Sequence, residues 1–442
     1  MKAGVAEDVI TPPLGGWLLG PEAPSSGVHD PLYARVLVLD DGRKTWAILC
    51  LDLIGLSLDF SDQVKDLVRR QAGIETVLIN CSHTHSAPFT IPWSMEGWLR
   101  HCELESSWRD HLRAVLPKLV REASEDTVPA VLRAGRAPVQ IGVNRRLLTD
   151  NGVIMAPNPD GPVVPWVDVL QVNDKQDRVL AVLFSHAAHP VIVHAASDLI
   201  SADYPGAAAN RIRRDLGEHV LPLFAQGCGG NINGNPLRGG HSRAEETGIR
   251  LGDAVLQALK DSDPVEAAAF RIGSQTMMLP CQDLPSVEAC ASRIEELEKQ
   301  PPEQAGGQAV LDWRQDRLRC LKALLSMVQQ GHRPQVRFEI TSVALGTDWC
   351  LLAMPHEVFS DYALWVESAS PFEHNMTCAY TNGCEAYVPT DKDLELGDRG
   401  GYEAAPFPSL AASLLYRNRL ALRPGVEGQI KETIQGLWDL GA

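Results

Sequence analysis

The chain has 442 residues, of which 45% are hydrophobic and 22% are charged, a balance that is ordinary for a globular protein. Its formal net charge of −16 disfavours nucleic acid and anionic membrane surfaces as partners, and no stretch reaches the roughly 18 apolar residues of a membrane span. The N-terminus carries no apolar signal segment and the ten cysteines are scattered, so we expect reduced thiols and a cytoplasmic location.

Predicted strands and helices alternate along the N-terminal 260 residues. A strand over 5–13 is followed by a hairpin, because Asp41-Gly42 separates two apolar runs at 33–40 and 45–54. Helices are predicted at 59–71, 105–124, 205–216 and 243–260, and strands at 76–80, 130–135, 166–173, 179–186 and 219–225. This alternation predicts an α/β fold with a mixed, twisted β-sheet core flanked by helices.

Residues 283–335 are predicted to form a helical hairpin inserted beside the sheet. Its two helices, at 286–300 and 307–330, are separated by Pro and Gly pairs. Strands resume at 336–346 and 349–354. We therefore expect residues 1–442 to form a single domain with this insertion within it.

The end of the strand near residue 80 carries the most informative pattern. His83 and His85 follow a short apolar run at a spacing that places both imidazoles on one face of a strand. Two imidazoles at the carboxyl end of a strand suit a divalent metal, or a metal and a proton carrier. A pair of hydrogen-bonded loop histidines is the alternative, because the His-x-His spacing is common.

Three other segments carry candidate ligands. Pro190 forces extended geometry on His189 and so fixes the direction of that histidine. Glu357 follows an apolar strand, where it is either a ligand or a charge at the start of a helix. Tyr387 and Tyr402 lie in two polar segments further on, and each is either a site residue or an ordinary half-buried tyrosine.

These segments together resemble a known family. Asn-Cys-Ser-His-Thr-His-Ser-Ala-Pro at 80–88 is similar to the Thr/Ser-His-Thr-His-Ser-Gly-Pro signature of the neutral/alkaline ceramidase superfamily. Further matches follow in the same order as in that family: Ile-Thr-Pro-Pro at 10–13, Asn-Arg-Arg at 144–146, His-Pro at 189–190, Pro-His-Glu at 355–357 and Tyr-Glu-Ala-Ala at 402–405. The resemblance extends to about Pro406 and implies the family's catalytic domain, without its C-terminal immunoglobulin-like domain.

The resemblance implies a Zn²⁺ site. By carry-over from the family motifs, the ligands are His83, His189, Glu357 and Tyr402, with Tyr387 competing for the fourth position. Imidazole and carboxylate ligands without a thiolate suit catalytic zinc.

The catalytic residues implied by the resemblance are His85, Arg145, Asn233 and Tyr387. His85 would act as acid and base, Arg145 would anchor the substrate, and Asn233 and Tyr387 would donate to it. Asn233 marks a departure, because the family carries an essential serine there and an amide cannot be that nucleophile. Cys228 is a nearby thiol at the wrong spacing, in a Gly-rich loop whose amides we expect to be able to bind an anionic oxygen.

The sequence therefore predicts a zinc-dependent hydrolase in which metal-activated water cleaves an amide or related linkage of a small polar substrate other than ceramide. One alternative is a carbohydrate-active enzyme that cleaves a glycosidic bond, with Trp93 and Trp98 stacking on sugar rings. The other alternative is a non-catalytic metal-binding protein that lost its activity together with the serine.

Overall fold

A computed structural model describes residues 1–19, 23–88, 90, 102–266, 268–301, 313–409, 416 and 420–439. Strands and helices are numbered in chain order. Among the helices in these ranges, none has both the length and the apolar character needed to cross a bilayer.

Nine strands form the largest sheet, in the order β12-β10-β9-β6-β1-β3-β4-β5, with β14 also paired to β6. Its strands are β1 (Lys2–Val9), β3 (Tyr33–Asp40), β4 (Thr45–Leu51), β5 (Thr76–Cys81), β6 (Val128–Pro138), β9 (Trp166–Asp174), β10 (Val179–His186), β12 (Leu221–Gln226) and β14 (Asp263–Val265). The β4–β5 and β10–β12 pairs are parallel and the other pairs are antiparallel, so the sheet is mixed.

Four smaller sheets complete the β-structure of the described residues. They are β15-β16-β17-β19, β13-β7-β8, β11-β2 and β18-β20. Their strands are β2 (Gly27–Val28), β7 (Gly142–Thr149), β8 (Gly152–Asn158), β11 (Leu199–Ile200), β13 (Ile232–Gly234), β15 (Phe270–Pro280), β16 (Gln335–Leu345), β17 (Trp349–Ala353), β18 (Glu357–Val358), β19 (His374–Cys378) and β20 (Tyr387–Val388).

The described helices are α1 (Leu58–Ala72), α2 (Cys102–Glu125), α3 (Asp203–Leu216), α4 (His241–Lys260), α5 (Val287–Glu298), α6 (Trp313–Gln329), α7 (Ser360–Ala369), α8 (Asp391–Leu394), α9 (Gly401–Ala404) and α10 (Val426–Asp439). The first of these shows how local sequence sets the ends: the Ser57 hydroxyl accepts from the Phe60 amide at the start, and Gly73 ends α1 with a φ of 69°.

The β3–β4 hairpin forms at Asp41-Gly42, as the sequence predicts. Gly42 has a φ of 88°, and Asp41 Oδ1 accepts from the amides of Arg43 and Lys44, both at 2.7 Å. Residues 34–39 of β3 are all buried, which requires apolar layers on both faces of the strand.

Alternate residues of β3 point into two different cores. Val36 and Val38 pack with residues of α1 and α2, while Leu37 and Leu39 pack towards the four-stranded sheet. At this second core Trp46 of the large sheet stacks on Trp349 of the smaller one, with ring centroids 6.5 Å apart. The large sheet thus has helices α1–α4 on one face and the four-stranded sheet on the other.

The far face of the four-stranded sheet is covered by α7 and α10. Ile340 and Leu352 of the sheet share a core with Tyr362 of α7 and with Ile430 and Ile434 of α10. The α/β fold class is confirmed, with layers in the order helix, sheet, sheet, helix.

The elements differ in detail from those predicted. The first strand covers Lys2–Val9 instead of 5–13, and the β7–β8 hairpin was not expected. Helices α5 and α6 are present in the predicted insertion, packed through Ile294, Leu297, Leu318 and Leu321. The division into one domain with an insertion stays a prediction.

The two ends of the large sheet are tied together at Asn80 of β5. The Gln226 amide donates to Asn80 Oδ1 at 2.7 Å, and Asn80 Nδ2 donates to the Ala379 carbonyl at 2.7 Å and to Thr381 Oγ1 at 3.0 Å. Asn80 is fully buried. This tie brings the segments that follow β5, β12 and β19 to one place.

We predict opposite effects of the same substitution at two helical glycines. A Cβ on Gly248 of α4 would lie 2.4 Å from Ala207 Cβ and 2.5 Å from the Tyr204 carbonyl oxygen, whereas a Cβ on Gly436 of α10 meets nothing within 4 Å. Gly248→Ala should lower the free energy of unfolding by about 1–3 kcal/mol. Gly436→Ala should raise it by about 0.5–1 kcal/mol.

Denaturant unfolding of both variants measures the difference. Equal stability changes at the two positions would show that helix propensity, and not the close approach of α3 and α4, decides the effect at Gly248.

Candidate metal centre and active site

Two histidines are held by backbone carbonyls at the point where the sheets meet. His83 follows β5 with a φ of 66°, and its Nδ1 donates to the carbonyl of Ile54 at 2.5 Å. The Nδ1 of His189 faces the carbonyls of Gly229 and Ile232 at 2.8 and 3.0 Å. A carbonyl only accepts, so each Nδ1 carries the proton, and in the neutral ring Nε2 is left as a bare lone pair.

Both Nε2 atoms face the same carboxylate. Oε2 of Glu357 lies 2.9 Å from His189 Nε2 and 3.5 Å from His83 Nε2, and all three residues are buried. Burial lowers the pKa of His83 to about 4 and also lowers that of His189, where Arg145 adds to the effect. Burial opposes ionisation of Glu357, whereas the positive charge of Arg145 favours the carboxylate and lowers its pKa.

The donor set therefore fits a divalent cation. At neutral pH the two imidazole lone pairs and the carboxylate converge. Arg145 Nη1 lies 3.2 Å from His189 Nε2, but no proton lies between His83 Nε2 and Glu357 Oε2, so a cation among these acceptors would be stabilising. One nitrogen from each of His83, His85 and His189 lies within 4.8 Å of the others. The ligand types are those of zinc sites that keep an open position.

His85 differs from the other two histidines in its surroundings. Among the residues that the structure describes, neither of its ring nitrogens has a hydrogen-bond partner. Its ring centroid is 5.0 Å from that of His83 and 5.1 Å from that of His194. Burial and the neighbouring imidazoles lower the pKa of His85 well below its usual value, so the ring is neutral.

Arg145 of β7 is fixed by four partners. Its Nε donates to Glu403 Oε1 at 2.8 Å, its Nη1 to Asn233 Oδ1 at 3.0 Å, and its Nη2 to the Tyr387 hydroxyl at 3.1 Å. The same Nη1 lies 3.2 Å from His189 Nε2. Most N–H groups of the guanidinium thus have protein acceptors. Few remain for a substrate, so Arg145 mainly positions the residues around it.

The two tyrosines predicted from the sequence lie in different environments. Tyr387 is 8% exposed and pairs with Glu357 in the register of β18 and β20. Tyr402 is 37% exposed, and its ring centroid is 5.9 Å from that of Tyr387. Both tyrosines are close to the centre, with Tyr387 the more deeply placed.

Glu357 also contacts two tyrosines whose role sequence reasoning missed. The Tyr380 hydroxyl lies 3.4 Å from Glu357 Oε2, and the Tyr416 hydroxyl donates to Glu357 Oε1. Tyr380 lies just after β19 and next to Thr381, so its place at the end of a strand could have marked it as a candidate site residue. Nothing in the sequence near Tyr416 pointed to this contact.

Glu403 is the other residue that was missed. Its carboxylate is 3% exposed and bridges Arg145 and Arg146, with Oε2 2.5 Å from Arg146 Nη1. It directly follows Tyr402 in the motif matched to the family, so position alone could have drawn attention to it.

The Gly-rich loop does not offer its amides to an anion, contrary to the expectation from sequence. The amides of Gly227, Gly229 and Gly230 donate to the carbonyls of His186, Gly227 and Val358. A Cβ on Gly230 would lie 2.4 Å from the Glu357 carbonyl oxygen, so this glycine allows the loop to pack against the strand that carries Glu357.

Asn233 and Cys228 are placed very differently in this loop. Asn233 reaches Arg145, as described above, while Cys228 is fully buried in the apolar core. Burial raises the pKa of the Cys228 thiol well above its usual value. This thiol therefore lacks the thiolate character that a nucleophile needs.

Two other buried polar residues have structural partners. Asp52 accepts from the Tyr33 amide and from Arg35. His356 is bonded to the backbone of Arg337 and Glu385. Trp93 and Trp98 lie outside the described residues.

Comparison with solved structures gives two similar folds. A neutral ceramidase from Pseudomonas aeruginosa matches with a TM-score of 0.67 and 17% identity, over 89% of this chain and 69% of the other. A ceramidase complexed with C2 matches with a TM-score of 0.73 and 18% identity, over 99% of this chain and 74% of the other. The chain has the neutral ceramidase fold. No protein-family model and no curated protein sequence matches it.

This ceramidase-like chain should not use Cys228 as a nucleophile. Because the thiol is buried and its pKa is raised, we expect no alkylation of Cys228 by iodoacetamide at pH 7.5 in the native protein, and full alkylation after denaturation. Peptide mass spectrometry measures both. Rapid labelling of Cys228 in the native protein would show that this thiol is reactive and could serve as a nucleophile.

Proposed function

We propose that this protein is a zinc-dependent hydrolase that cleaves an amide or related linkage in a small polar substrate. The observation that carries the proposal is the convergence of His83 Nε2, His189 Nε2 and Glu357 Oε2, with no proton between His83 Nε2 and Glu357 Oε2. A nitrogen and oxygen donor set with no thiolate favours zinc over softer metals. The ceramidase fold supports hydrolysis of a C–N bond as the reaction type.

The fourth ligand is a tyrosine in this proposal. The sequence resemblance assigns Tyr402, with Tyr387 as its competitor. Three observations favour Tyr387 as the fourth ligand. It is buried, it pairs with Glu357 in the strand register, and it contacts Arg145, which also faces His189. Tyr402 packs behind it with a partly exposed side chain.

The ion would polarise the scissile carbonyl and lower the pKa of a water molecule towards about 7. The chain's own groups then divide the remaining work. A neutral His85, whose nitrogens have no hydrogen-bond partner among the described residues, takes the proton from the attacking water and returns it to the leaving nitrogen, so that the C–N bond breaks to a carboxylic acid and an amine. The side-chain amide of Asn233 donates to the substrate oxygen, and Arg145 holds Tyr387 and Asn233 in place.

Water is the nucleophile because no suitable side chain is present among the described residues at this centre. Asn233 occupies the position of the family serine, and its Oδ1 accepts from Arg145. Cys228 is protonated and buried. The absence of a serine at this position also argues against ceramide as the substrate, since the resemblance ties ceramide cleavage to that serine.

Metal content tests the proposed ligands. Glu357→Gln and His189→Ala should each hold one zinc fewer per chain than the unmodified protein, because each removes a ligand that nothing else replaces. Elemental analysis of the folded, dialysed proteins gives the count.

Glu385→Gln is the matched control, because Glu385 is also buried but accepts from the Leu58 amide at the start of α1. It should keep its zinc. The same measurement separates the tyrosines: Tyr387→Phe should weaken zinc binding about 10-fold or more, and Tyr402→Phe should not. Unchanged zinc in both Glu357→Gln and His189→Ala would refute the assigned centre.

An acid quench during turnover tests the water mechanism. With short N-acyl amines as substrates, no acyl-enzyme should be trapped, and one turnover in H₂¹⁸O should place the label in the carboxylate product. His85→Ala should lower kcat by about 10²–10⁴, and Asn233→Ala by about 10²–10³, while both retain zinc.

Asn233→Ser restores the family residue and serves as the comparison variant. Because water already supplies the nucleophile, its kcat should not exceed that of the unmodified protein. An acyl adduct on any side chain would contradict the water mechanism, and normal zinc with no turnover on any amide would favour a non-catalytic protein.

A further inference from the structure

A second group of metal-ligating side chains lies where β2 meets the start of α4. His29 and Asp30 follow β2 directly, and His241 is the first residue of α4. The three side chains each offer one ligand atom, and these atoms lie within 4.8 Å of one another. None of the three takes part in the centre around Glu357.

The histidines of this group are incompletely bonded. Both ring nitrogens of His241 are shielded from solvent, and neither has a hydrogen-bond partner among the described residues. The ring stacks on that of His29 with a centroid separation of 3.8 Å and an interplanar angle of 11°. The two rings lie face to face and both carry nitrogen lone pairs. The lone pair of His241 has no hydrogen bond among the described residues, so it is available to bind a cation.

Asp30 provides the negative charge. Its Oδ1 accepts from His29 Nδ1 at 2.5 Å and from the Ser201 hydroxyl at 2.7 Å, while Oδ2 accepts, among the described residues, from the Ala202 amide alone at 2.6 Å. Oδ2 therefore keeps a free lone pair. The side chain of Asp30 is 25% exposed and that of His29 is 46% exposed, so an ion could enter from solvent.

A cavity of about 260 Å³ adjoins these residues and is large enough for an ion with its water ligands. Asp203 and Glu245 line it together with Arg214, so the carboxylates, counted with Asp30, outnumber the guanidinium. This balance favours a cation over an anion.

We propose that His29, Asp30 and His241 bind a second divalent metal ion of the zinc type, with water completing the coordination. A tetrahedral ion with metal–nitrogen distances of about 2.1 Å places two ligand nitrogens about 3.4 Å apart. The stacked rings are separated by a similar distance, so they need only splay at one edge to direct their lone pairs to a common point.

The position of this site connects it to the catalytic histidines. Asp30 holds Ser201, and the Ser201 carbonyl accepts from the Thr84 hydroxyl at 2.9 Å while the Ser201 amide donates to the Ser86 carbonyl at 3.0 Å. Thr84 lies between His83 and His85. An ion at Asp30 would therefore brace the segment that carries both histidines.

Calorimetric titration of the full chain with Zn²⁺, after removal of metal with EDTA, tests the proposal. The unmodified protein should bind two equivalents, His241→Ala one and His189→Ala one. Asp30→Asn should bind at the second site at least 10-fold more weakly. His241→Ala should also lose part of the zinc-dependent rise in Tm.

His332→Ala, a change at an exposed histidine remote in sequence from both groups, should still bind two equivalents and controls for loss of a surface imidazole. One equivalent in the unmodified protein that persists in His241→Ala and Asp30→Asn would overturn this inference and leave the catalytic centre intact. Loss of an equivalent in His241→Ala but not in His189→Ala would support this site and count against the proposed function.

Discussion

The structure depends on one buried side-chain amide. Asn80 joins β5 to β12, the strands at opposite ends of the hydrogen-bonding order of the large sheet, and it also binds the segment after β19. Each of the three segments then delivers a part of the centre: His83, the loop of Gly227 to Asn233, and Tyr380. Removing this amide would leave several buried backbone groups unsatisfied, each at a cost of about 1–3 kcal/mol.

The buried charges around the centre are paired with one another. Glu403 lies between Arg145 and Arg146, and Glu357 faces Arg145 across His189. Buried charges are tolerated only when each has partners of opposite sign and well-aligned hydrogen bonds. The guanidinium of Arg145 is consequently fixed by several partners, and it connects Glu403 to His189, Asn233 and Tyr387.

The sequence predicted what is encoded locally. Apolar runs such as 33–40 and 45–51 mark strands, and the Asp41-Gly42 turn joins them. Such runs also precede His83, His189 and Glu357. Their positions at strand ends were therefore predictable from the apolar pattern, and their convergence from the resemblance to the ceramidase motifs. The β7–β8 hairpin was missed because its buried side chains, Arg145 among them, are polar. A polar stretch without an apolar alternation is typical of a loop.

The partners of those polar residues explain why sequence alone could not find them. Arg145 and Glu403 are 258 residues apart, and Glu357 and Tyr416 are 59 apart. Burial of Arg145 becomes favourable only once Glu403 is beside it, so neither residue carries a local signal. Similarly, the amides of the Gly-rich loop appeared free because their carbonyl partners belong to other segments.

The backbone around the centre is held in conformations that most side chains avoid. His83, His194, His356, Tyr380 and Asn382 all have positive φ, between 30° and 69°. Such conformations cost about 1–2 kcal/mol each outside glycine. Glycine would relieve the strain at each position but would remove an imidazole, a phenol or an amide. The substitutions that would stabilise the backbone are therefore the ones that remove the polar side chains of the site. Selection for stability alone would favour glycine at these positions and would remove those side chains first.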